Sequence, residues 1–146
     1  MRRVVLEGAS PQSRGVMPVQ RPAVTSRRYP GRTASVPVAR GLVHEVLLGS
    51  PRLGDLELIA TELMSNAIRH SPSGWPGGTF TITIRHSPRW ARLEIADGGD
   101  GRWLVRHSDG TAEYGRGLII VTMLADKFGR GVDVGRTHIV WAEVGW

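Results

Sequence analysis

The chain predicts an α+β fold, a two-layer sandwich in which a mixed, mostly antiparallel sheet is covered on one face by about three helices. Three observations predict it. Apolar residues recur at helical spacing in three separate stretches, at 33–49, 55–70 and 117–129. Two other stretches, 79–97 and 131–144, alternate apolar and polar residues and are each broken by a short turn, the pattern of hairpins with one covered face. At 146 residues the chain is most simply one domain, long enough to bury a core without disulfides.

In chain order, residues 1 to about 30 show neither period, apart from a short strand near Arg27–Tyr29. The spacing then predicts a first helix over "TASVPVARGLVHEVLLG", with Ser35 as N-cap, Pro37 in the first turn and Gly49 as the stop. Its apolar stripe is Ala39, Leu42, Val43, Val46 and Leu47. After the loop "SPRLG", the run "DLELIATELMSNAIRH" predicts a second helix capped by Asp55 and burying Leu56, Ile59, Ala60, Leu63 and Ala67. "SPSGWPGG" ends it. "TFTITIR" and "ARLEIAD" make the first hairpin, with Phe80, Ile82 and Ile84 in phase on one strand and Ala91, Leu93 and Ile95 on the other. A long polar loop, "GGDGRWLVRHSDGTAEYGRG", precedes a third helix over "GLIIVTMLADKFG", apolar almost all round and stopped at Gly129. "GVDV" and "THIVWAEV" form a second hairpin.

Composition narrows the function classes. With no cysteine there is no disulfide framework, thiolate zinc site or thiol nucleophile, and a cytoplasmic location is expected. Runs such as "GLIIVTMLA" are too short to span a bilayer, which takes ~20 apolar residues. Arg2, Arg3, Arg14, Arg21, Arg27, Arg28, Arg32 and Arg40 stand against Glu7 alone in residues 1–40, so the net charge of +6 belongs to this arm and the rest of the chain is close to neutral. Its Pro, Ser, Gln and Gly content reads as a solvated leader over 1–26, preceding a folded domain over 27–146, and no specific nucleic-acid contact is expected of it. Met17 within it is a second candidate for the start beside Met1.

Chemistry gathers in three places. Asp97 shares strand parity with Leu93 and Ile95, so its carboxylate points into the covered face, where it needs donors. It reads either as a strand-end residue capping the next turn or as the acceptor for a heterocyclic amine such as that of adenine. Gly99 and Gly101, just after it, let another molecule approach the backbone. Gly115 and Gly117 open the third helix, whose free N–H groups favour an anion such as phosphate, although neither a dinucleotide fingerprint nor a P-loop is present. Glu62, Asn66 and His70 follow one another at four-residue steps along the edge of the second helix's apolar face. Such a stripe is either the margin of a solvated face or a site. In a site, Asn66 offers a neutral oxygen to Mg²⁺ and Glu62 can accept a proton. His70 reads as structural or phosphate-facing, because no H-E-x-x-H spacing accompanies it.

"TELMSNAIRHS", "IADGGDG" and "EYGRGLIIVTMLAD", in this order, resemble the N box and the two glycine boxes of the Bergerat-fold (GHKL) ATPases shared by gyrase, MutL and the histidine kinases. The chain is most similar to the small anti-sigma-factor serine/threonine kinases of the SpoIIAB and RsbW type, over about residues 33–144. The resemblance implies ATP and Mg²⁺ as cofactors, Glu62 as general base, Asn66 as Mg²⁺ ligand and Asp97 as the adenine-binding acid. It also implies that Gly99, Gly101, Gly115, Arg116 and Gly117 bind the nucleotide. The family's late threonine would fall at Ile139, leaving Thr137 as its substitute, and Ile119 stands where larger relatives carry a third glycine. The implied function is phosphorylation of a serine or threonine on an anti-anti-sigma (STAS-domain) partner, together with sequestration of a sigma factor, in a protein that forms a homodimer. The alternative is a non-catalytic, ATP-gated binding regulator.

Overall fold

The structure, a computed structural model, describes residues 20–97, 112–133, 135 and 137–146, with side chains of the third helix described from Gly117 onward. Five strands form one sheet in the order β1-β2-β3-β5-β4: β1 Ala23–Pro30, β2 Thr79–Ser87, β3 Trp90–Asp97, β4 Lys127–Val132 and β5 His138–Gly145. All four neighbouring pairs are antiparallel. Helices α1 (Ser35–Val46), α2 (Leu53–His70) and α3 (Ala112–Leu124) complete an α+β fold. The expected sheet is therefore fully antiparallel among the described strands.

Strict alternation sets which face is covered. Phe80, Ile82 and Ile84 of β2, Ala91, Leu93 and Ile95 of β3, and Val140, Ala142 and Val144 of β5 all point to the helix layer and are buried. They meet Ala39, Leu42 and Val43 of α1 and Leu56, Ile59, Ala60, Leu63 and Met64 of α2 in one core. The opposite sheet face is polar. There Arg92 pairs with Glu94 and Glu143 at 2.7 and 2.8 Å and lies 4.0 Å over the Trp141 ring.

Several local expectations are corrected. Neither Ser35 nor Asp55 caps a helix: the caps are Ala34 and Arg52, without side-chain cap bonds, and Ser35 is buried in the first turn of α1. Asp55 instead lies within the first turn of α2 and pairs with Arg52 at 2.6 Å. Strand β1 runs over eight residues where the sequence pattern marked three.

The largest correction is to the third helix, which begins at Ala112 and ends at Leu124, short of Gly129. Asp126 is taken up by β5, its N–H donating to the Glu143 carbonyl at 2.8 Å and its Oδ2 accepting the Gly145 N–H at 2.6 Å. Residues 127–132 then become a strand, because pairing with β5 outweighs local helix preference. Gly129 is a strand residue whose bare backbone seats the Trp141 ring. Nor is α3 buried all round: Val121 is buried, but Ile119 and Met123 are exposed on one face.

Candidate functional site

Helices α2 and α3 pack against each other and run in opposite directions. At one end Arg52, at the start of α2, donates to the carbonyl of Leu124 at the end of α3, at 2.8 Å. Further along, Gly117 of α3 faces Glu62 of α2 so closely that a Cβ on Gly117 would overlap the Glu62 Oε2. The absent side chain is what leaves room for the Glu62 carboxylate against α3 here. Glu62 is half-buried beside fully buried Leu63 and Met64, so its carboxylate sits at the edge of the core and against α3.

Asn66 and His70 follow Glu62 along α2, each half-buried. Beyond them the chain turns through a short 3-10 segment, Pro72–Gly74, bracketed by close backbone contacts. A Cβ on Gly31 or Gly78 would run into the Ser73 carbonyl, and one on Gly74 into the Ile68 carbonyl. This knot ties the C-terminal end of α2 to the end of β1 and the start of β2, with Gly31 N–H donating to the Gly78 carbonyl at 2.9 Å.

The same end of the sheet holds Asp97. It is the last residue of β3, opposite Phe80 of β2, and is 7% exposed, with both carboxylate oxygens out of reach of water. The parity argument thus holds: Asp97 lies on the covered face in line with Ile95, Leu93 and Ala91. An acceptor at this depth lies in a low-dielectric layer, where a hydrogen bond from an N–H donor is stronger than in water.

Gly115, Arg116 and Gly117 lie within α3. The free N–H groups of that helix belong to its first turn, N-terminal to Gly117, so close packing against Glu62 is the role the geometry gives Gly117. Gly99 and Gly101 lie outside the described residues, as does most of the long loop.

Thr137 lies in the turn before β5, its N–H donating to Asp133 Oδ1 at 2.9 Å. The covered face of β5 carries Val140, Ala142 and Val144, so Ile139 points to the other side of the sheet from Asp97, while Thr137 precedes the strand. The residue brought to Asp97's face is His138, half-buried at the next ladder position after the Ala96–Ile139 pair. Phase with Val140 would have singled it out from the sequence.

Among the described residues no group of three or more His, Asp or Glu converges as a metal cage. A hard cation at Asn66 would draw its remaining oxygens from phosphates and water, which is how Mg²⁺ is commonly held. The contact between Gly117 and Glu62 lies one helical turn from Asn66. Among the described residues no helix is long and apolar enough to cross a membrane.

No curated protein matches the chain. A family model described as the histidine kinase-like ATPase domain matches residues 29–141, from the end of β1 to the middle of β5. That span takes in every element bearing on the site, and the chain belongs to the histidine kinase-like ATPase domain family, which implies ATP as its ligand.

Proposed function

We propose that this protein is an ATP-dependent serine/threonine kinase of the anti-sigma-factor type, which phosphorylates a serine or threonine of a STAS-domain partner and sequesters a sigma factor. The observation that carries the reading is the seating of Glu62 against Gly117, which brings an acid of α2 to the helix that follows the glycine-rich loop.

In this reading Asp97 accepts the adenine amine at the end of β3, and Asn66 holds Mg²⁺, which offsets charge on the phosphates when bound. Glu62 takes the proton of the attacking hydroxyl as its oxygen bonds to the γ-phosphorus and the bond to the ADP oxygen breaks. Positioning supplies most of the rate in such transfers, so the cradle that fixes Glu62 matters as much as its basicity.

Incubating the protein with γ-labelled ATP and a purified STAS-domain protein tests this. Label should pass to a serine or threonine of the partner, and Glu62→Gln should abolish transfer while leaving ATP affinity within about threefold, since it removes only the proton acceptor. Wild-type protein that binds ATP but leaves the partner unlabelled would refute kinase activity.

A second reading, an ATP-gated clamp without phosphoryl transfer, draws support from exposed Ile119 and Met123, which give the helix carrying Gly117 an apolar outer face. A clamp should bind its partner equally well as wild type and as Glu62→Gln, with no turnover in either.

A further inference from the structure

The end strand β1 carries two adjacent arginines, Arg27 and Arg28, and no acid. From Gln20 to Arg40 the chain carries five arginines and no acid. Among the described residues Arg52, Arg85 and Arg92 each have a carboxylate partner, while the exposed Arg21, Arg27, Arg28 and Arg32 form no ion pair. Strand β1 is at the end of the sheet order, paired on one side to β2 over eight consecutive residues without a bulge. Proline occurs only at its borders, Pro22 and Pro30, so the strand's middle keeps its N–H groups. Such an edge is a template for another strand unless something guards it.

The guard here is selective. Tyr29 is buried on the helix side, so Arg27 shares that side, while Val24, Ser26 and Arg28 belong to the outer face, where the Ser26 and Thr83 hydroxyls meet at 3.0 Å. In antiparallel pairing of β1 with a second copy, centred on this strand, the arginines of both chains would crowd together at directly opposite or diagonal positions, which is unfavourable. A duplex backbone is a poor fit too, because consecutive arginines diverge to opposite faces and cannot both reach one phosphate groove. An extended segment with two consecutive acids suits both, one acid for each face, with an apolar residue to cover Val24, which is 52% exposed.

We propose that β1 is a docking edge for an extended acidic segment of a partner protein, which adds as a sixth strand and is selected by Arg27 and Arg28. The inference is independent of the phosphoryl-transfer reading. Strand addition supplies backbone hydrogen bonds whatever the sequence, and the arginine pair decides which sequence.

The test uses the isotope-labelled full chain, followed by NMR, against the capped peptide Thr-Val-Thr-Glu-Glu-Thr-Val-Thr and its Lys-Lys counterpart. The Glu-Glu peptide should shift amides of β1 between Val24 and Tyr29, and the Lys-Lys peptide should not. Arg27→Glu/Arg28→Glu should weaken Glu-Glu binding by about tenfold and admit the Lys-Lys peptide instead. The milder Arg28→Ala should fall between them with the fold unchanged. Equal binding of both peptides, no binding of either, or shifts confined to other elements would overturn the proposal. So would a DNA duplex that shifts β1 where the Glu-Glu peptide does not, or sedimentation showing a dimer that the double variant abolishes.

Discussion

Replacing Gly117 by alanine separates the stability of this fold from its proposed chemistry. Gly117 lies in the body of α3, where alanine is favoured over glycine by about 0.5–1 kcal/mol. The new methyl would overlap the Glu62 Oε2, yet it would stand 3.5 Å from the carboxyl carbon and 3.9 Å from the Glu62 Cβ, both ordinary contacts. Only the tip of a flexible side chain has to yield. The melting temperature of Gly117→Ala should therefore stay level or rise, by about 2 °C for a chain of this size. Glu62's oxygen, however, must move on the order of 1 Å, and a misplacement of that size can cost ~100-fold in rate. Thermal melting and single-turnover ATP kinetics read the two effects separately. In a Glu62→Gln background the rate effect of Gly117→Ala should vanish, since both changes act on one group. Wild-type turnover in Gly117→Ala would refute the claim that this cradle positions the acid, and a melting point lower by ten degrees would refute the claim that only the side-chain tip must move.

Three further substitutions probe the rest of the architecture. Asp97→Asn should weaken ATP binding in calorimetry by about 10- to 100-fold, the worth of a charge-assisted hydrogen bond, and equal affinities would remove Asp97 from the nucleotide pocket. Gly31→Ala forces a methyl into the Ser73 carbonyl, a backbone atom that cannot swing aside. It should cost about 3 kcal/mol in urea unfolding, and a loss below about 1 kcal/mol would contradict the tight knot behind α2. Arg52→Ala removes the bond to the Leu124 carbonyl at 2.8 Å. It should cost about 1–2 kcal/mol and speed hydrogen exchange at Val121–Leu124 more than in β2.

Much of the architecture was legible because burial leaves a periodic mark. Alternation in "TFTITIR" and "ARLEIAD" named the covered face of both strands, and it carried Asp97 onto that face. Helical spacing likewise named Leu56, Ile59, Ala60 and Leu63. The ends of elements were less legible. Ser35 and Asp55 have the chemistry of N-caps, but the chain enters α1 and α2 before reaching them, and nothing local to either residue forbids that. Alignment on "VWAEV" puts the family's late threonine at Ile139, with Thr137 as its substitute, whereas the pairing of β5 with β3 gives the covered face to the even set and brings His138 to the Asp97 side.

By itself, then, the order of residues determined the α+β class, the apolar faces and the inward acid, since each depends on contacts repeated every two or every three to four positions. Tertiary structure decided where α3 yields to β4 and how Gly117 meets Glu62. Both turn on partners far away in the chain: β5 captures Asp126 and the residues after it, and the Glu62 carboxylate lies against α3 where Gly117 lacks a side chain. Neither event leaves a period for the sequence to display.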